Sequence, residues 1–139
     1  GTKKMSKSEI SDLSRINLTD DKDSIINKIK KAKTDPLPLP TNIKDLELRP
    51  EAKNLLRIYS SLTNLNLEKV IQTFEGKNFS EFKEKLSQVL SDKIDPISKE
   101  IKKLMNDKDF LDKILLEGYQ KANDIASDKV KKMHEIIGF

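Results

Sequence analysis

Apolar residues recur every three or four positions along most of this chain, and that spacing selects helices. In the stretch PEAKNLLRIYSSL, Ala52, Leu55, Leu56, Tyr59 and Leu62 fall on one helical face. A strand would alternate with a period of two, and no segment does so clearly. The fold class predicted is therefore all-α, a bundle of five or six helices, each burying one stripe. Apolar residues make up 35% of the 139 and charged residues 36%, which suits helices with one buried and one solvated face. That length is the usual size of one domain.

Local signals set the expected boundaries. Thr19 is a candidate N-cap for a helix from Asp20 to Lys33, with Ile25, Ile26, Ile29 and Ala32 on its apolar face. Asp20, Asp21 and Asp23 would complement its dipole at one end, and Lys28, Lys30, Lys31 and Lys33 at the other. Pro36, Pro38 and Pro40 then exclude helix and predict a surface loop, with Leu37, Leu39 and Ile43 tucked in. Pro50 suits a first helical position. Asn66 is read as the cap of a short helix, Gly76 as a turn, and Ser80 as the next cap. Pro96 should kink that helix or start a new one. A last helix, about Lys108 to Ile137, is expected to bury Phe110, Leu111, Ile114, Leu115, Ile125, Ala126, Val130, Met133 and Ile137. Residues 1–18 read as a loop and connector, and residues 19–139 as the helical domain.

Composition narrows the functional classes. The net charge of +4 permits a polyanionic partner without demanding one. With no cysteine there is no disulfide or thiolate site, and His134 as the single histidine cannot build a metal site alone. No apolar run approaches the roughly 20 residues of a membrane span. These features predict a soluble, cytoplasmic protein with no membrane partner. No nucleophile–base pair, carboxylate dyad or metal cluster stands out.

The chain opens with GTKKMSKS, unlike anything after it. Lys4 and Lys7 lie about 10 Å apart if extended, and a compact turn would converge their ammonium groups. Two lysines, serine hydroxyls and free backbone N–H groups suit a polyphosphate. Charge held against a departing pyrophosphate stabilises the transition state. The P-loop spacing is absent, so this is no Walker A loop. A solvated basic end is the plainer reading.

The string Lys4-Met5-Ser6-Lys7-Ser8 is identical to the second signature motif of class I aminoacyl-tRNA synthetases. After it come RPEAKNLLRIYSSLTN, FEGKNFSEFKEKL, DPISKEIKKLMNDKDFLDKILLEGYQKA and a closing IIGF. Together these resemble the C-terminal part of the bacterial tryptophanyl-tRNA synthetase family, over essentially the whole chain. The resemblance implies a helical anticodon-binding domain that follows a Rossmann catalytic domain absent from this chain. It implies that Lys4 and Lys7 are catalytic and hold the β- and γ-phosphates of ATP. Met5, Ser6 and Ser8 complete the implied ATP-binding loop. ATP is then a substrate, with Mg2+ expected in the full enzyme and none bound by this piece alone. Tryptophan and tRNA(Trp) are the implied partners, and the full enzyme is a homodimer through its missing half. The HIGH-like motif and the tryptophan pocket are absent, so a fragment that is inactive alone is expected. The alternative is a free-standing helical RNA-binding or adaptor module with a basic arm.

RNA recognition also needs bases to be stacked or hydrogen-bonded beside a basic surface. Phe74, Phe79, Phe82 and Phe110 fall on apolar stripes and are expected in the core, as is Tyr59. Arg49 and Arg57 are candidate RNA or interdomain contacts, with a plain salt bridge as the simpler expectation. The lysines at 99, 102, 103, 129, 131 and 132 are read as solvated faces with interleaved acids.

Overall fold

A computed structural model describes residues 9–138. Among the described residues five α-helices run in chain order: α1 (Lys22–Lys31), α2 (Pro50–Thr63), α3 (Leu67–Phe74), α4 (Phe79–Asn106) and α5 (Lys108–Ile137). Two 3-10 turns, Asp12–Ser14 and Lys44–Leu48, stand before α1 and α2. No strand occurs among the described residues, and the predicted all-α class holds.

The caps explain where the helices start. Asp21, not Thr19, caps α1 by accepting the Ser24 N–H at 2.8 Å. Asp20 is drawn away by the Asn17 N–H at 2.8 Å, so helix begins two residues later than the composition suggested. Pro50 opens α2 as expected. Asn66 caps α3 through the Lys69 N–H at 2.8 Å. Gly76 makes its turn at φ +68°, a conformation that costs other residues about 1–2 kcal/mol. Asn78, rather than Ser80, accepts the Glu81 N–H at 2.9 Å and starts α4, since it stands one residue before the first helical residue, Phe79, while Ser80 lies inside the helix. α4 passes through Pro96 without ending.

The proline-rich loop differs from expectation. Leu39 is buried and its N–H donates to the Lys77 carbonyl at 2.9 Å. Leu37 and Ile43 are exposed instead. The 3-10 turn at Lys44–Leu48 puts Leu46 in the core, in a stretch whose prolines suggested no helix at all. The prolines end at Pro40, so they forbid nothing beyond it.

The chain divides near residue 99 into two compact units. The first holds the core: Ile25 and Ile29 of α1, Ala52, Leu55 and Leu56 of α2, Val70, Ile71 and Phe74 of α3, and Phe79, Phe82, Leu86 and Leu90 of α4. Tyr59, Phe74 and Phe82 pack as an aromatic triangle with centroids 4.9–5.8 Å apart, the Tyr59–Phe74 and Phe74–Phe82 pairs edge-on. The second unit contains α5, and here the expected burial fails. No residue of α5 is buried, and Phe110, Ile114, Leu115, Ile125, Val130, Met133 and Ile137 are exposed. The period of 3.6 was read correctly, since the helix forms. Periodicity reports an apolar face, not what covers it.

Candidate functional site

The connector that follows the KMSKS string is held by charge rather than by apolar contact. Ile10, Leu13 and Leu18 are exposed, and only Ile16 packs against the core. A lysine from α1 holds the segment instead. Lys28 is buried, with its side chain 7% exposed, and its Nζ lies 2.7 Å from Asp20 Oδ2 and 2.5 Å from Asp12 Oδ2. Asn17 links the two carboxylates: its backbone N–H donates to Asp20 and its side-chain amide to Asp12 at 3.0 Å. Arg15 pairs with Asp12 at 2.9 Å and donates to the Glu9 carbonyl at 3.2 Å. The connector is thus fastened at residues 20, 12 and 9 in turn.

The electrostatics follow the geometry. Burial works against the charged form of Lys28, but the hydrogen bonds it donates to Asp12 and Asp20 outweigh it and raise its pKa. The Lys28 hydrogen bond holds the Asp12 carboxyl below its ordinary value, with Asn17 adding to the effect.

Two further polar junctions hold the first unit. Arg49 forks onto Asp35, with Nε at 3.0 Å from Oδ2 and Nη2 at 2.6 Å from Oδ1. It also donates to the Pro38 and Leu37 carbonyls and lies over the Phe79 ring at 5.7 Å. This is the salt bridge expected as the simpler role, and it organises the proline loop. Lys83 of α4 donates to the carbonyls of Lys30 and Ala32, capping the C-terminal end of α1. Burial lowers its pKa. Lys83, Lys22 and Lys30 border a groove of about 820 Å³ that is also lined by Glu84, Thr34, Ser87 and Gln88. Such a surface can meet phosphates.

The candidate residues Lys4, Met5, Ser6, Lys7 and Ser8 lie outside the described residues. The aromatic assignments hold for Phe74, Phe79 and Phe82, which are buried, and for Tyr59, which packs against the core. Phe110 is exposed. Lys99 and Lys103 pair with Asp95 and Glu100 one turn away, as interleaved charges should. Lys102, Lys129, Lys131 and Lys132 are exposed, and His134 sits in the last turn of α5. Sequence reasoning missed Lys28, assigning it to the helix dipole. Its position gave the signal: one residue before Ile29 and three after Ile25, it lies on the buried face.

No group of three or more His, Cys, Asp or Glu side chains that could hold a metal occurs among the described residues. No described helix is long and apolar enough to cross a membrane.

A family model described as tRNA synthetases class I (W and Y) matches residues 1–94. The chain belongs to that family. It is 50% identical over 139 residues to the tryptophan–tRNA ligase of Rickettsia felis, covering all of this chain and 42% of that protein. Against the tryptophan–tRNA ligase of Rhizobium meliloti it is 48% identical over 139 residues, 39% of that protein. The enzyme of that name from Mesorhizobium japonicum is 46% identical over 138 residues, covering 99% of this chain and 39% of its own length. The chain thus spans about two fifths of the relatives it matches.

Proposed function

We propose that this chain is the C-terminal part of a tryptophan–tRNA ligase. The observation that carries the reading is the string Lys4-Met5-Ser6-Lys7-Ser8, inside the stretch matched by the family and followed by whole-chain similarity to tryptophan–tRNA ligases. In the reaction, the tryptophan carboxylate attacks the α-phosphate of ATP. The bond to the β-phosphate breaks, leaving tryptophanyl-adenylate and pyrophosphate. The aminoacyl group then passes to tRNA(Trp).

Lys4 and Lys7 act on the first step. Their ammonium groups hold the β- and γ-phosphates and offset the charge that grows on the leaving pyrophosphate. Met5, Ser6 and Ser8 shape the loop around the nucleotide. Mg2+ would travel with the ATP phosphates, and no step here is assigned to it.

Residues 19–139 serve as the tRNA-binding domain, and residues 1–18 as the ATP loop and its connector. Lys22 and Lys30, at the edge of the groove, support a phosphate contact there. Taken alone, the chain is inactive, because the HIGH-like motif and the tryptophan pocket are not in its sequence. The enzyme is cytoplasmic and homodimeric.

The test is Lys7→Ala in the full-length protein. Pyrophosphate exchange should slow by roughly a hundredfold or more, the range for loss of one transition-state charge contact, while tryptophan binding is retained. An unchanged exchange rate would defeat the ATP role.

A further inference from the structure

We propose that the groove between α1 and α4 binds an unpaired nucleotide of the tRNA, with phosphates on Lys22 and Lys30 of α1 and the base hydrogen-bonded by Glu84 of α4. The inference rests on the tRNA-binding role argued above and deepens it, giving that role a place and a ligand chemistry.

The groove is polarised. Lys22, Ile26 and Lys30 follow one another at intervals of four residues on one face of α1, so the two lysines rise from points about 12 Å apart along one wall. Both are exposed, and neither ammonium has a partner among the described residues. That sets them apart from Lys28, spent on Asp12 and Asp20, and from Lys99, paired with Asp95. The opposite wall carries acceptors. Glu84 is exposed, and its carboxylate is unpaired among the described residues. Gln88, one turn on, donates its amide N–H to Asp92 Oδ1 at 2.8 Å, which leaves its carbonyl oxygen to offer. Half-buried Ile26 and buried Phe79 supply an apolar floor.

The two walls are tied together. Lys83 donates to the carbonyls of Lys30 at 3.2 Å and Ala32 at 2.6 Å, so its own charge is taken. The volume of about 820 Å³ falls within the range of small-ligand pockets, about 300–1,000 Å³. A duplex would bring only phosphates to this surface, and Glu84 would repel them. An unstacked base removes the conflict, because the phosphates stay on the lysine wall while the base edge meets the acceptors. Two acceptors call for a donor. The exocyclic amino group of cytosine, adenine or guanine supplies one, and uracil has no such group.

The experiment measures binding of a tRNA(Trp) transcript to the full-length protein across a salt series, with thermal unfolding alongside. Lys22→Gln and Lys30→Gln should each lower the slope of log affinity against log salt by about 0.7, the value per phosphate of a single strand. Lys30→Arg should keep the slope, and Lys99→Gln should leave it unchanged. Glu84→Ala decides whether a base enters. On a purely electrostatic surface, removing that negative charge strengthens RNA binding, whereas losing a base acceptor weakens it, here by roughly five- to a hundredfold. Glu84→Gln, which keeps one acceptor oxygen and the same shape, should lose less. Every substituted position is exposed, so unfolding temperatures should stay near wild type. If Lys22→Gln and Lys30→Gln keep the wild-type slope, or Glu84→Ala binds as tightly as wild type or more so, the groove is not the site and the tRNA-binding role stands. If Lys99→Gln lowers the slope as much as the groove lysines do, the contact is diffuse charge and the inference is overturned. If the wild-type protein does not bind tRNA(Trp), the tRNA-binding role fails and the inference falls with it.

Discussion

At the scale of single residues, paired charges do the work that apolar anchors do elsewhere. Arg49 satisfies one carboxylate and two backbone carbonyls of a proline-rich loop that cannot satisfy itself. Its planar fork matches the Asp35 carboxylate in a way that a lysine cannot. Arg49→Lys should destabilise the first unit by about 2 kcal/mol, the scale of a lost charge-assisted hydrogen bond, read by denaturant unfolding. The same pair gives an acid limb. Arg49 lowers the Asp35 pKa below its ordinary 3.8. A carboxylate depressed in the folded state contributes stability that is present above the unfolded value and lost as pH falls through the folded one. Asp35→Asn should therefore cost stability at neutral pH and flatten the loss below about pH 4, followed by thermal unfolding across a pH series.

At the scale of elements, α4 is the most heavily committed. It contributes Phe79, Phe82, Leu86 and Leu90 to the core and Lys83 to the end of α1. Phe82 is fully buried and closes the aromatic triangle. Phe82→Ala should cost about 3–5 kcal/mol, the range for a large-to-small core change. The same helix buries the hydroxyls of Ser91 and Ser98 with no hydrogen-bond partner among the described residues. An orphaned buried hydroxyl is a cost, and alanine favours helix. Ser91→Ala should therefore stabilise the first unit by about 1 kcal/mol in the same denaturant assay. α5 is the opposite case. Its length and capping are clear, with Asp107 accepting the Phe110 N–H and Gly138 at φ +80° closing the end. Yet its apolar face meets nothing among the described residues that buries it.

At the scale of the whole molecule, the question is what the helices recognise. Phosphate contacts position a nucleic acid but carry no sequence information. The full-length protein should bind tRNA(Trp) more tightly than a copy with a swapped anticodon, at every salt concentration. Both should weaken as salt rises, since each lysine–phosphate contact releases counterions that added salt drives back onto the RNA. Equal binding of the two tRNAs would remove anticodon recognition from the domain.

Much of this was legible in the chain itself. Apolar spacing determined that α1 to α5 are helices, because a 3.6-residue period can present one face only in that geometry. Pro50, Asn66 and Gly76 marked their boundaries because each is suited to one backbone state. The KMSKS string and the later blocks carried the family. What the sequence could not determine is which polar side chains would meet across distance. Lys28 reads as one of four lysines in KIKKAK and its approach. Only the packed structure brings Asp12 and Asp20 onto it from the connector. Leu37, Leu39 and Ile43 look alike as a sequence, yet only Leu39 is buried. The stripe of α5 predicts burial, and the structure leaves it exposed. Local propensity is written in neighbours three or four residues apart. Burial and ion pairing are decided by whatever distant segment arrives to exclude water, and only the tertiary structure says which one does.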